Sequence, residues 1–75
     1  MPKPVVTFTS RPAHQGERCA TCFETLLYAW SPEAQAEEVF VVTTRGLTGN
    51  HCRRCWWRTE VPHLESIGAT VRRDQ

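Results

Sequence analysis

Four cysteines are the residues of this 75-residue chain whose types and spacing carry chemistry, and they fall in two Cys-x-x-Cys pairs, Cys19/Cys22 and Cys52/Cys55. Two residues between thiols let both sulfurs face one point. Four thiolates converging on a point are the tetrahedral set that Zn²⁺ prefers. The expectation is one Zn²⁺ per chain. A pair of disulfides, a redox-active dithiol and an iron site are the alternatives that the same cysteines allow. Four thiolates around zinc carry a formal charge of −2, so Arg18, Arg53 and Arg54, which flank the pairs, have a charge to neutralise. The same arginines could instead contact phosphate.

A four-thiolate set has no open coordination position for water, and the chain has neither a phosphate-cradling glycine loop nor a Ser-His-Asp order. No catalytic residue is therefore assigned, and the chain reads as a non-enzyme. His14, His51 and His63 are not needed as ligands once four cysteines close the site.

Size gives the metal its importance. A chain this short makes one domain, 1–75, and a small core supplies only about 3–5 kcal/mol of net stability. A structural zinc site contributes roughly 10–16 kcal/mol of apparent binding energy near neutral pH. The formal net charge is +1, which sets the chain apart from broadly basic nucleic-acid binders. The charge is uneven, however. Glu33, Glu37 and Glu38 cluster, whereas from Phe40 to Thr59 every charged side chain is an arginine: Arg45, Arg53, Arg54 and Arg58. No run of 18 apolar residues predicts a membrane span, and the first residues lack the apolar stretch of a signal peptide. A cytoplasmic location is expected, where paired cysteines serve as metal ligands more often than as disulfides.

The elements that must position the thiols are short. Val5 to Thr9 is β-branched and aromatic and predicts a strand. Arg11 to Gly16 reads as a loop delivering the first pair. Phe23 to Trp30 predicts a strand leaving it, with Tyr28 and Trp30 as packing residues. Ser31-Pro32-Glu33 predicts a capped helix start, and the helix should stop near Val39. A strand follows over Val39 to Thr44. Gly46 and Gly49-Asn50 mark the loop to the second pair. A helix opens at Cys55, and Pro62 ends it or starts another running to Ile67, with Gly68 as its C-terminal cap. Ala69 to Arg72 adds an edge strand, and Arg73 to Gln75 should fray.

From Arg18 to Glu60 this arrangement resembles the four-cysteine zinc-ribbon and treble-clef classes. Gly49-Asn50-His51-Cys52-Arg53-Arg54-Cys55-Trp56-Trp57 is similar to the treble clef, in which the second pair lies at a helix start. Two features depart from the pattern. Phe23 and Trp56 stand where many knuckles carry glycine, which also disfavours a rubredoxin-like iron site, and Ser31 to Glu38 is an unusual insertion. The resemblance implies a small, zinc-stabilised α+β domain with a short β-sheet and one or two short helices.

Trp56 and Trp57 are adjacent and cannot share one face. One should pack, and the other is free to join Arg45, Arg53, Arg54 and Arg58 in a contact surface. Two uses of that surface are expected. The first is regulation of a larger protein complex by protein contact, in transcription or nucleic-acid processing, as a small bacterial or phage accessory or inhibitor protein would act. The second is direct binding of DNA or RNA, with arginine on phosphate and tryptophan stacking on bases. A homodimer through the tryptophans or the Val39 to Thr44 strand is a further expectation.

Overall fold

The computed structural model describes residues 3–47 and 49–74. It is a small α+β fold: a four-stranded sheet of order β3-β2-β1-β4 with one helical segment on a face. β1 (Val5–Pro12) pairs antiparallel with β2 (Glu38–Val42) and parallel with β4 (Thr70–Arg73), and β3 (Asn50–Cys52) pairs antiparallel with β2.

Strand alternation separates two small cores. On one face β1 presents Phe8 and β2 presents Phe40, and Trp56 lies across both, its ring centroid 4.8 Å from Phe8 and 6.2 Å from Phe40. Val42, Val61, Leu64 and Val71 pad this cluster. On the other face Val39 packs with Ala13, Leu26, Leu27 and the cysteines. Val39 and Phe40 are both fully buried although they point to opposite faces, which identifies β2 as an interior strand covered on each side. That position closes the expected dimer route through Val39 to Thr44, because β1 and β3 already occupy its edges.

The helical segment, α1, runs without a break over residues 53–66. It comprises α-helical Arg53–Cys55, π-helical Trp56–Glu60 and α-helical Val61–Ser66. Pro62 neither ends α1 nor starts a new helix. A proline has no N–H and its ring clashes with the carbonyl four residues back. The wide turn just before it, where the Val61 N–H reaches the Trp56 carbonyl, makes room for the ring. Gly68 ends α1 as expected: with φ +91° its N–H bonds the Glu65 carbonyl while the Ala69 N–H bonds that of Leu64.

Several expectations are corrected. The helix expected from Ser31 is only the 3₁₀ turn Glu33–Gln35, with Pro32 extended ahead of it and no side-chain cap. The stretch has no apolar stripe to bury, and in a helix Glu33 and Glu37 would face one another as like charges. The strand expected over Phe23 to Trp30 reduces to a single bridge between Arg18 and Thr25. Leu26 and Leu27 are instead both buried, side by side. Tyr28 and Trp30 are exposed rather than packed into a core or edge. β1 runs on to Pro12, into the expected loop. Arg73 is ordered in β4 and the Asp74 N–H bonds the Phe8 carbonyl at 2.6 Å, so fraying is not seen there; Gln75 lies outside the described residues.

Candidate metal centre

The first pair sits on a tight turn. The Phe23 N–H closes it on the Cys19 carbonyl at 2.9 Å, and Phe23 itself takes φ +63°, the left-handed conformation that glycine supplies in many such turns. The second pair opens α1: Cys52 is its N-cap residue and Cys55 lies in its first turn. The two parts are joined by the backbone, with the Ala20 N–H on the Asn50 carbonyl at 2.8 Å.

This brings the four sulfurs within 4.8 Å of one another, and the Cys22 and Cys52 Sγ atoms to 3.9 Å. Tetrahedral coordination with metal–sulfur bonds of about 2.3 Å requires sulfur–sulfur edges of roughly 3.8 Å. All four cysteines are free, and Cys19, Cys52 and Cys55 are buried. The set can hold a metal ion.

Amide donors prepare the sulfurs for charge. The Thr21 and Cys52 N–H groups point at Cys19 Sγ at 3.4 and 3.3 Å, and the Cys55 N–H points at Cys52 Sγ at 3.5 Å. Burial opposes ionisation of Cys19, but amide donors from Cys22, Cys52 and Thr21 and the Cys22 thiol outweigh it and bring the thiol down to about 6. Burial pushes the Cys52 thiol up, and pushes Cys55 up to about 12 with help from the neighbouring thiols. The Cys19 sulfur thus ionises readily, while Cys52 and Cys55 resist. Four thiolates at this spacing need a cation between them.

Two polar networks fix the frame. Glu17 receives both guanidinium nitrogens of Arg11 at 2.8 and 2.7 Å, the His14 N–H at 2.9 Å and the Asn50 side-chain amide at 2.6 Å. It therefore ties the end of β1 and the start of β3 to the residue two before Cys19. The Arg11 guanidinium, opposed by burial and aided by the His14 and Asn50 donors, holds the Glu17 carboxyl down at about 2. In the second network the Thr21 hydroxyl donates to Glu60 Oε1 at 2.7 Å and lies 2.9 Å from His51 Nδ1. The single hydroxyl proton is committed to Glu60, so Nδ1 is the donor to Thr21 Oγ1. His51 is buried, stacks on Trp56 and is held below its usual pKa by burial despite Glu60 nearby. It serves the frame and is no part of the four-sulfur set. Glu17, Thr21 and Glu60 have no role legible in the sequence, and Asn50 reads there only as loop punctuation. Apart from the Arg11 and His14 contacts, their side-chain bonds span 30 to 39 residues, beyond any local pattern.

Of the expected contact residues, Arg53, Arg54, Trp57 and Arg58 line one groove of about 660 Å³ beside Cys52. Trp57 is 46% exposed. Trp56 is fully buried and belongs to the core, its indole Nε1 without a partner among the described residues. Arg45 lies outside the groove, in the turn after β2. The groove is not a basic face, because Glu24, Glu37 and Glu38 line it too. Only the Arg54–Glu24 pair approaches contact, at 3.9 Å with both side chains well exposed, and such a pair contributes little. No helix among the described residues is long and apolar enough to cross a membrane. Comparisons with protein-family models, with curated proteins and with solved structures return no match.

Proposed function

We propose that the chain is a non-enzymatic, zinc-binding module of the treble-clef kind that acts by contact with a larger protein, as a regulator or adaptor. The observation that carries this reading is the four-sulfur set, mutually within 4.8 Å and supplied with amide donors. Zinc suits it because four soft thiolates in a tetrahedron are zinc's structural ligand set. A first pair on a tight turn and a second at a helix start support the treble-clef assignment. Four protein ligands would leave the metal no position for substrate. The Thr21-His51-Glu60 group, of which only His51 is buried, offers no alternative catalyst, since the hydroxyl proton goes to the carboxylate and not to the imidazole.

Protein contact is favoured over nucleic acid by the composition of the groove. Arginines with a half-exposed tryptophan suit either partner, but three carboxylates in the same groove would repel phosphate. Two experiments test the reading. Titration with Co²⁺ under reducing conditions should give the intense sulfur-to-cobalt bands of a four-thiolate site at one ion per chain, displaced by Zn²⁺. Photo-crosslinking from position 57 should then capture a protein in the zinc-loaded state and not after chelation. Capture of nucleic acid instead, with binding falling steeply as salt rises, would replace protein contact with the second expected use.

A further inference from the structure

An exposed arm joins the metal-bearing cluster to β2, and its last two residues, Glu37 and Glu38, reach the rim of the groove beside Cys52. Residues 28–38 are exposed throughout except for half-buried Ser31 and Ala36. Trp30 is 81% exposed and Tyr28 50%, and their rings stack on each other at 4.8 Å with 21° between planes. Single exposed apolar side chains are ordinary, but two large rings stacked into one contiguous exposed patch have the form of an interaction site.

The arm has a defined shape. Its base is fixed by the Leu26 N–H on the Glu17 carbonyl and the Ala13 N–H on the Glu37 carbonyl, at 2.8 and 2.9 Å. Its tip is held by the Ser31 N–H on the Tyr28 carbonyl at 3.0 Å and by the Gln15 side-chain amide on the Ser31 carbonyl at 3.1 Å. The two rings are thus displayed before any partner arrives, which lowers the ordering cost of binding.

Charge selects the partner. From Ala20 to Thr44 the charged residues are Glu24, Glu33, Glu37 and Glu38, with no lysine or arginine. Within the arm, Glu33, Glu37 and Glu38 make no ion pair among the described residues. Tryptophan and tyrosine faces attract cations, and unpaired carboxylates on the same segment reinforce that preference while repelling phosphate.

We propose that the arm of residues 28–38 docks a Lys/Arg-rich segment of a partner protein, with a cationic side chain on the Tyr28/Trp30 stack and its neighbours on Glu33, Glu37 and Glu38. The proposal rests on the reading of the chain as a protein-contact module and adds a surface centred on Tyr28 and Trp30, which adjoins the groove at Glu37 and Glu38, and the chemistry of what it binds.

The test uses the full zinc-loaded chain and a short peptide of alternating arginine and glycine, with a glutamate–glycine peptide of equal length as control. The readouts are the indole N–H and backbone amide resonances by NMR, the arm's amides giving the affinity where the Trp30 indole is removed. The arginine peptide should shift Trp30 more than Trp57 and lose affinity as salt rises. Tyr28→Ala with Trp30→Leu should weaken it about tenfold, the cation–π contact with the stack being lost. Glu33→Gln, Glu37→Gln and Glu38→Gln together should weaken it comparably, whereas Glu65→Gln, off the arm, should stay within about twofold. Backbone amide spectra of the variants should match wild type away from the arm. Shifts confined to Trp57, affinity unchanged by the aromatic changes, or equal binding of the glutamate peptide would each overturn the proposal. Trp30 shifts that grow with chain concentration alone would overturn it too, in favour of a second copy as occupant. Zinc-dependent capture from position 57 is independent of all these results, so the arm can fail while the module reading stands, and the reverse.

Discussion

Glu17 sits where three parts of the chain meet, and its carboxylate is the most heavily committed acid of the fold. Replacing it by glutamine removes the bidentate partner of Arg11 and should cost about 1–3 kcal/mol at neutral pH. The pH dependence has a definite direction. The folded carboxyl is held at about 2 against an ordinary 4.5, so its contribution is complete above the ordinary value and is lost as pH falls from there to the folded one. Urea denaturation of wild type and Glu17→Gln across that range should show a gap that is constant near neutrality and closes in acid. A gap independent of pH would mean the carboxylate's charge is irrelevant to the frame. Nothing near Glu17 in the sequence announces this role, because its third anchor, Asn50, is 33 residues away. The cysteines were legible because their chemistry depends on short spacing. Phe23 was a misleading signal of the opposite kind: a glycine was expected for the turn, yet the turn forms with a phenylalanine at φ +63°, its ring 69% exposed, because the sulfur set and the closing hydrogen bond over-determine it.

Among the elements, strands were legible where residues alternate and have an edge to pair with. β1, β2 and β4 follow from β-branched runs. The segment from Phe23 to Trp30 has the composition of a strand but pairs only at the Arg18–Thr25 bridge, with Leu26 and Leu27 buried side by side where a strand would alternate them, and the segment from Ser31 to Glu38 has the start signals of a helix but no apolar face to bury. The failure of the second expectation is measurable. A serine that caps a helix is worth about 1 kcal/mol, but Ser31 caps nothing. Ser31→Ala should therefore change stability by no more than about 0.5 kcal/mol. A loss near the capping value would show that a helix forms there. The hairpin joining β2 to β3 makes the opposite point. Gly49 read as simple loop punctuation, but a Cβ there would lie 2.6 Å from His51 Nε2. The imidazole cannot move aside, since Thr21 holds one edge and Trp56 stacks on its face. Gly49→Ala should cost about 1–3 kcal/mol and weaken metal binding, because His51 adjoins Cys52. An unchanged melting temperature and metal affinity would show that the ring is free to swing.

At the scale of the whole molecule the chain is long for its size. Its radius of gyration is 13.2 Å and its extents are 48 × 23 × 17 Å, against about 11 Å for a compact domain of this length. The sheet and α1 share one aromatic core, whereas three of the seven buried members of the other cluster are cysteines. That second cluster has little apolar area of its own, and the groove beside Cys52 and the base of the arm at Leu26 both rest on it, so loss of a bound ion should loosen both. The expectation of that dependence comes from length and cysteine spacing alone, and the fold meets it as far as gathering the four sulfurs within 4.8 Å of one another. The mixed charge of the groove was not legible there, because Glu37 and Glu38 meet Arg53 and Arg58 only through the fold. The most direct measurement is native mass spectrometry of chain purified without an affinity-metal column, before and after chelation, with circular dichroism on the same samples. One zinc per chain, and loss of structure when it is removed, is the predicted result. A metal-free chain lighter than the reduced mass by four hydrogens, folded and indifferent to chelator, would mean two disulfides and would contradict the account at its centre.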